Sequence, residues 1–287
     1  MIGSNKLIIG TVQFGTNYGI NNSMGQVPIE EVSIILDLAY NQGIRTLDTS
    51  SAYGSSEVVL GKALKNRDMN FNIVSKYPKS EASVYDTFQN SLDNLGVNSL
   101  YGYLVHHFEF YQKYPEIFKE MTDLKNEGKI QKVGFSLYNV QQLQYLFDHD
   151  VKFDILQFPY NIFDRQFEPY MSQLADMNVE IHTRSAFLQG LFFKDTKTLP
   201  EKLVPLKKYL VTLHDYCYDA DITIEQLSLG YVLANENVKG ALIGVDSHHQ
   251  LEKNLKVASY QLSQSDLNYI KSIDIKEKYL LNPVNWN

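Results

Sequence analysis

Asp48 and Tyr53 bring a carboxylate and a phenol into one short stretch, Leu47 to Gly61, with the sequence LDTSSAYGSSEVVLG. Asp48 ends a short run of strand-forming residues, and Tyr53 follows five residues later between small residues and a glycine. A serine then precedes a predicted helix that opens with Glu57, which is the order expected at a helix N-terminus. Because no apolar pattern surrounds Tyr53, this residue either closes one end of the fold or takes part in chemistry.

Two further ionisable side chains, Lys76 and His106, stand at the ends of the next two predicted strands. A hydride delivered to a carbonyl carbon leaves charge on the oxygen, so that reaction needs a proton donor. A phenol near its free pKa of ~10 is a poor donor at neutral pH, and a neighbouring Lys76 ammonium is expected to lower that pKa. Asp48 would keep Lys76 charged and oriented, and His106 would donate a hydrogen bond to the carbonyl oxygen. Each residue alone could be structural, but four on adjacent strand ends indicate a catalytic site.

The rest of the chain predicts the scaffold that positions these residues. Short β-forming runs alternate with amphipathic helices in eight units of roughly thirty residues, which predicts a parallel sheet with helical crossovers. The fold class is therefore α/β, a (β/α)8 TIM barrel of eight parallel strands, with one domain over residues 1–287 and the active site at the C-terminal strand ends. No G-x-G-x-x-G follows the first strand, which argues against a Rossmann domain. The predicted strands are 6–11, 45–48, 72–76, 101–106, 132–136, 154–158, 180–185 and 240–243, and the predicted helices are 28–43, 57–64, 83–95, 115–128, 140–148, 168–177, 223–235 and 248–258.

Composition excludes several classes of protein. A net charge of −7, from 33 acidic and 26 basic side chains without a dense basic run, argues against a nucleic-acid surface. The single cysteine, Cys217, excludes an intramolecular disulfide and a cysteine-rich zinc site. The apolar run at the N-terminus is too short for a signal peptide, and no run approaches the ~20 residues that span a bilayer. We therefore expect a cytoplasmic protein that binds neither nucleic acid nor membrane.

Further motifs extend the pattern around the four candidate catalytic residues. They are Asp48-Thr49-x-x-x-Tyr53-Gly54 with Ser56-Glu57 and Gly61, Ser75-Lys76, Leu104-Val105-His106, Gly128-Lys129-Ile130, Gly134-Phe135-Ser136, and Gln157 with Tyr160-Asn161. With these motifs the chain resembles the aldo-keto reductase family from about residue 6 to residue 258, as a bacterial-type member with a short C-terminal loop. The resemblance implies that Tyr53 is the proton donor and that Asp48, Lys76 and His106 complete a catalytic tetrad.

The same resemblance implies a nicotinamide cofactor, with NADP(H) favoured and NAD(H) accepted. Ser136 and Gln157 would hold the nicotinamide amide, and Arg184 stands where the family usually has an aromatic residue that stacks on the nicotinamide ring. A planar guanidinium can also stack. Asn254 resembles the adenine contact. The remaining cofactor-binding residues implied are Ser185, Phe187, Leu188, Gln189 and Gly190 in the segment covering the pyrophosphate, with Gly244 and Gln250 after the last strand.

Three departures from the family pattern bear on this prediction. Leu137 stands where many members have asparagine, and Tyr101 where many have aspartate. The basic residues that often bind the 2'-phosphate near the last strand are missing. Ser247, two histidines, Gln250 and the backbone amides at the start of the last predicted helix could bind a phosphate, whereas Asp246 would repel one. Lys253 is nearby, but its place next to Asn254 is expected to point it along the helix. We therefore expect NADPH to be preferred by a modest margin.

Two other functions remain open at this stage. A metal-dependent barrel could use Asp48, His106, His107 and Glu109 as ligands, but it leaves Lys76 and Tyr53 without a role. Otherwise, His107 is a rim residue of unassigned role. A non-catalytic nicotinamide-binding sensor or regulatory protein on the same fold is the second alternative, although a sensor has no need of a poised acid.

The sequence specifies the substrate only as a small-molecule carbonyl compound, and it leaves the oligomeric state open, a monomer included. Four aromatic residues near the predicted strand ends either line the substrate pocket or pack the rim of the barrel. They are Tyr18, Tyr77, Phe108 and Tyr160. A pocket with aromatic walls suits sugars as well as small aldehydes.

Overall fold

Eight parallel strands close into a barrel in the order β1 to β8, with β1 paired to β8. The structure is a computed structural model that describes residues 4–22 and 25–286. The strands are β1 (Leu7–Gly10), β2 (Thr46–Asp48), β3 (Asn72–Tyr77), β4 (Leu100–Val105), β5 (Ile130–Ser136), β6 (Ile155–Pro159), β7 (Glu180–Arg184) and β8 (Val238–Gly244). The predicted (β/α)8 fold is confirmed.

Twelve α-helices surround the barrel in the described residues. They are α1 (Val12–Gly15), α2 (Ile29–Asn41), α3 (Ser56–Leu64), α4 (Val84–Leu95), α5 (Phe108–Lys113), α6 (Glu116–Asn126), α7 (Val140–Asp148), α8 (Met171–Asp176), α9 (Lys207–Asp219), α10 (Ile224–Ala234), α11 (His248–Val257) and α12 (Gln264–Ser272). Short 3-10 turns lie at Ser4–Lys6, Glu168–Tyr170, Leu188–Phe193, Glu201–Leu206, Lys278–Leu281 and Pro283–Trp286. No helix in these described ranges is long and apolar enough to cross a membrane.

Local sequence signals explain where several helices begin and end. The Ser83 hydroxyl accepts a hydrogen bond from the Asp86 N–H at the start of α4, and Gly96 ends that helix at φ 67°. At the start of α10, Thr223 and Gln226 form a reciprocal capping box. These caps let the chain turn between strand and helix within a few residues. The last side chain of each strand therefore lies at the same rim of the barrel.

The register places all the predicted strand-end residues at one end of the barrel. Asp48 pairs with Gly10 of β1 and with Val74 of β3, and Ser136 pairs with Gln157 of β6. His106 follows the end of β4 directly, and Arg184 ends β7. This is the end of a (β/α)8 barrel at which active sites lie.

The opposite end of the barrel is closed by an ionic network centred on Glu180. Its carboxylate accepts hydrogen bonds from the Tyr101 hydroxyl at 2.7 Å, from His182 Nε2 at 2.7 Å and from the Lys132 ammonium. Tyr101 also packs against an apolar cluster of Val74, Leu104 and Ile155. The two ends of the barrel therefore hold separate groups of charges, one network at each end.

Candidate active site

Asp48 and Lys76 form a buried ion pair at the base of the site. Lys76 Nζ lies 2.5 Å from Asp48 Oδ1 and donates a second hydrogen bond to the Thr49 carbonyl at 2.8 Å. The other Asp48 oxygen accepts from Gln157 Nε2 at 2.7 Å. Burial lowers the pKa of Lys76, and the Asp48 carboxylate opposes that effect. Asp48 thus compensates the buried ammonium and fixes its direction, as the sequence predicted.

Tyr53 lies over this pair, with Lys76 Nζ 5.0 Å from the centre of its ring. Burial, and then the Asp48 carboxylate, raise the pKa of Tyr53 well above its usual range, while Arg184 acts in the opposite direction. The prediction that Lys76 lowers this pKa is therefore wrong for the free protein. The reason is that burial and the Asp48 carboxylate outweigh the Lys76 ammonium, which lies 5.0 Å from the ring centre.

His106 stands beside Tyr53, with the ring centres 5.6 Å apart and the planes nearly perpendicular. Burial, followed by the positive charges of Lys76, His107 and Arg184, lowers the pKa of His106 to about 2. The imidazole is consequently neutral, and its Nδ1 lies 3.2 Å from the hydroxyl oxygen of Ser50. The neighbouring His107 is exposed and contacts the His106 ring at a centre distance of 4.9 Å.

Glycines allow the loop that carries Tyr53 to pack closely on α1. A Cβ at Gly15 would come within 1.9 Å of the Tyr53 carbonyl oxygen and 2.3 Å of the Ser56 nitrogen. Gly54 lies opposite at φ +55°, where a Cβ would approach the Gly15 oxygen to 2.4 Å. Only glycine fits at this contact. The position of α1 therefore determines the position of the Tyr53 loop.

A pocket of about 410 Å³ runs from Asp48 and Tyr53 across the mouth of the barrel to α11. Most of the predicted cofactor residues line it, but Ser136 and Leu188, both buried, do not. The predicted residues on its wall are Gln157, Arg184, Ser185, Phe187, Gln189, Gly190, Gly244, Gln250 and Asn254. The continuity of this pocket lets one extended ligand reach both Tyr53 and α11.

Arg184 carries a charge that no carboxylate compensates at ion-pair distance among residues 4–22 and 25–286. Its Nη2 donates to the Leu137 carbonyl at 3.1 Å, and its guanidinium lies 4.4 Å from the centre of the Tyr138 ring. Leu137, which follows the serine that ends the fifth strand, therefore contributes its backbone carbonyl to this contact. Any residue at that position would provide the same carbonyl. Arg184 lines the pocket near Tyr53, so a ring bound there would lie beside a positive charge.

The far end of the pocket contains unpartnered acceptors. Gln13 Oε1 and Asp246 Oδ1 are buried without a hydrogen-bond partner in the described chain, and both residues line the pocket. Gly244 leaves room beside Gln13, because a Cβ there would come within 2.5 Å of Gln13 Nε2. Two acceptors facing a pocket fit a ligand rich in hydroxyl donors, such as the riboses of a dinucleotide.

The N-terminus of α11 differs from the anion site that the sequence predicted. The Glu31 carboxylate accepts hydrogen bonds from the His248 backbone N–H at 2.5 Å and from its Nδ1 at 2.7 Å. The Ser247 hydroxyl accepts from the Gln250 N–H at 3.4 Å. The amide of His248 is thus already bound to a carboxylate, and that part of the prediction is wrong because α2 supplies a partner distant in sequence.

Three of the four predicted aromatic pocket residues lie in the core. Tyr77 is buried and donates to the Ala82 carbonyl at 2.9 Å, and Phe108 is buried against Phe135 and neighbouring rings. Tyr160 is buried against Tyr231. Only Tyr18 lines the pocket, where its hydroxyl accepts from Gln189 Nε2 at 2.5 Å. For the other three the packing alternative holds, because helix and strand side chains enclose them.

Sequence reasoning missed pocket residues that carry no motif. Gln13 belongs to α1, a four-residue helix too short to give a periodic signal. Lys253, which the sequence placed along its helix, instead lines the pocket beside Asn254. A polar residue within a few positions of the end of the first strand of a barrel is the one signal that could have identified Gln13.

A second pocket of about 500 Å³ shares Arg184 with the first. Tyr138 and Asp164 line it together with the C-terminal segment from Ile273 to Asn285. No three His, Cys, Asp or Glu side chains in the described residues form a group that could hold a metal ion. Glu109, a ligand in the metal-dependent alternative, instead accepts from Gln142 Nε2 at 2.9 Å.

Comparison with known proteins gives a consistent result. The model of the "Aldo/keto reductase family" matches residues 6–275. The NADH-specific methylglyoxal reductase of Escherichia coli (strain K12) is 24% identical over 280 residues, covering 82% of this chain and 85% of that protein. The D-arabinose 1-dehydrogenase of Saccharomyces cerevisiae is 24% identical over 278 residues, covering 86% and 81%. The holo form of an aldo-keto reductase from Bacillus halodurans has the same fold, with a TM-score of 0.76 at 21% identity over 96% of this chain and 94% of that one.

Proposed function

Because the chain is an oxidoreductase that belongs to the aldo/keto reductase family, we propose that it reduces an aldehyde or ketone, including the carbonyl of a sugar, to an alcohol with a reduced nicotinamide cofactor and Tyr53 as proton donor. The observation that carries this proposal is the position of Tyr53. Its phenol lies over the buried Asp48–Lys76 pair and beside a neutral His106, on the wall of a pocket of about 410 Å³ that continues to α11.

The residues around Tyr53 provide for the proton that carbonyl reduction needs. When bound, the reduced nicotinamide supplies the hydride. Tyr53 gives its phenolic proton to the carbonyl oxygen, since an alkoxide is a stronger base than a phenolate even where burial raises the phenol pKa. Lys76, 5.0 Å from the ring centre, then stabilises the phenolate until solvent returns the proton. His106 donates a hydrogen bond that polarises the carbonyl.

The residues on the pocket wall support a set of cofactor contacts. Gln157 and Arg184 would lie at the nicotinamide, and Ser185, Phe187, Gln189 and Gly190 along the pyrophosphate. Gln13 and Asp246 offer acceptors to ribose hydroxyls, and Asn254 lines the adenosine end. These contacts use backbone and neutral side chains as well as Arg184, which suits a ligand with both apolar rings and a diphosphate.

For the cofactor, the modest preference for NADPH stays a prediction that depends on few groups. Lys253 on the pocket wall supports a 2'-phosphate. Asp246 opposes it, although burial raises the pKa of its carboxyl, and Glu31 already binds the amide of His248. Equilibrium titration of NADPH and NADH by fluorescence quenching measures the margin, and clearly tighter NADH binding would overturn it.

The names of the two relatives described above indicate their substrates, which are a small aldehyde for one and a sugar for the other. The decisive experiment is a panel of small aldehydes, ketones, keto sugars and aldoses, with turnover followed by nicotinamide absorbance in both directions and with a chelator present. We expect cofactor-dependent turnover that the chelator does not change. Tight cofactor binding without turnover on any member of the panel would favour the sensor alternative instead.

A further inference from the structure

Ser50 is a fully buried hydroxyl two residues after Asp48, and it contacts His106 directly. Its Oγ accepts a hydrogen bond from the Ala52 backbone N–H at 3.1 Å, and it lies 3.2 Å from His106 Nδ1. Within residues 4–22 and 25–286, these are the only two partners of the Ser50 hydroxyl. The contact therefore joins the Tyr53 loop to the end of β4.

The hydrogen-bond count at Ser50 decides which nitrogen of His106 carries the proton. The ring is neutral, because burial and nearby positive charges lower its pKa to about 2, so one nitrogen is a donor and the other an acceptor. If Nδ1 were protonated, the Ser50 oxygen would accept from both Ala52 and His106, and its own proton would have no partner. A buried unpaired donor disfavours that arrangement by roughly tenfold or more.

We propose that Ser50 is a positioning residue that fixes His106 in its Nε2–H form, so that Nε2 always presents a hydrogen-bond donor to the substrate carbonyl. Ser50 donates its hydroxyl proton to His106 Nδ1 while it accepts from the Ala52 N–H, and every polar group in the chain of contacts is paired. His106 Nε2 makes no hydrogen bond within the described part of the chain, so it remains available to a ligand. The catalytic part of this inference rests on the proposed function, whereas the tautomer itself does not.

The test is a long-range proton–nitrogen correlation spectrum of the full chain labelled with 15N-histidine, which distinguishes the two neutral tautomers. A His106→Gln variant identifies the signals of His106 among the seven histidines. We expect the Nε2–H pattern in the unchanged protein and a mixture of tautomers in Ser50→Ala. Ser51→Ala is the matched control, because the Ser51 hydroxyl donates to the Lys76 carbonyl at 3.3 Å and does not touch His106. That variant should keep the Nε2–H pattern.

An Nδ1–H pattern in the unchanged protein would overturn the inference even if Ser50→Ala does not fold. A pure Nε2–H pattern in Ser50→Ala would overturn it as well. With a carbonyl substrate from the panel, Ser50→Ala should lose about tenfold in kcat while the cofactor Kd stays within about twofold. Unchanged kcat alongside mixed tautomers would refute the positioning role. If the unchanged protein shows no turnover, that result contradicts the proposed function alone. The spectra would still determine the tautomer of His106.

Discussion

At the scale of single residues, Asp48 determines the electrostatics of the site. One of its oxygens binds the Lys76 ammonium and the other accepts from the neutral Gln157 amide, so the charges of Asp48 and Lys76 compensate each other and both carboxylate oxygens are hydrogen-bonded. The sequence predicted this pair from strand-end positions alone. It did not predict the pKa of Tyr53, because the loss of solvent around a phenol depends on how the surrounding loops pack.

The opposite pKa shifts of Tyr53 and His106 predict how reduction depends on pH. Tyr53 loses its proton only as the pH rises through a pKa well above 10, and His106 gains one only as the pH falls towards 2. Both groups therefore keep one form between about pH 6 and pH 9. We expect kcat/KM for carbonyl reduction to be flat over that range in steady-state measurements. A limb centred near neutral pH would show that one of the two assignments is wrong.

The uncompensated charge of Arg184 predicts an effect on cofactor binding. An oxidised nicotinamide ring is positively charged and a reduced ring is neutral, so a neighbouring guanidinium weakens binding of the oxidised form only. Arg184→Tyr should therefore raise the affinity for the oxidised cofactor several-fold and leave that for the reduced cofactor within about twofold. Isothermal titration of both forms measures the ratio. An unchanged ratio would mean that the guanidinium does not lie beside the ring.

At the scale of elements, the strand ends were predictable and the loops were not. Lys76 and His106 follow apolar runs whose length and ends are visible in the sequence. By contrast, the contact between α1 and the Tyr53 loop joins backbone atoms far apart in the chain, and the carboxylate of Glu31 reaches α11 from α2. The sequence left the placement of Tyr77 and Phe108 open for the same reason, since a pattern of apolar residues does not show which ones a neighbouring helix covers.

The contact between α1 and the Tyr53 loop can be tested with Gly15→Ala. The added methyl would meet backbone atoms of Tyr53 and Ser56 that have no rotamer to change, so the loop must move. We expect turnover to fall at least tenfold and the free energy of unfolding to fall by about 1–3 kcal/mol. Kinetics with chemical denaturation measures both. Gly230→Ala is the control: in α10 its Cβ would meet Leu262 at 3.4 Å, so activity should remain.

At the scale of the whole molecule, the residues that carry the proposed chemistry and a network that stabilises the fold lie at opposite ends of the barrel. The site lies at the C-terminal strand ends, and the Glu180 network lies at the other end. Although burial by itself raises it, hydrogen bonds from His182, Lys132 and Tyr101 hold the pKa of Glu180 down to about 2. The eightfold alternation predicted the barrel and the end at which the site lies, but nothing in the sequence paired Tyr101 with Glu180.

Glu180→Gln should therefore lower stability and spare activity. A carboxyl whose folded pKa is depressed stabilises the protein above its usual pKa, and that stability is lost as the pH falls through the folded value. At neutral pH we expect a loss of roughly 2–4 kcal/mol in the free energy of unfolding, with kcat/KM within about twofold. Glu127→Gln, which removes an exposed pair with Lys129, should cost less than about 1 kcal/mol. A large loss of activity in Glu180→Gln with normal stability would contradict the separation.

The most direct test of the account is the turnover of Tyr53→Phe. The variant keeps the ring over Lys76 and beside His106 and removes only the proton that the carbonyl oxygen needs. On the best substrate from the carbonyl panel, we predict that kcat falls by at least about a hundredfold while the Kd for the reduced cofactor stays within about twofold. Turnover close to that of the unchanged protein would contradict the assignment of Tyr53 as the proton donor.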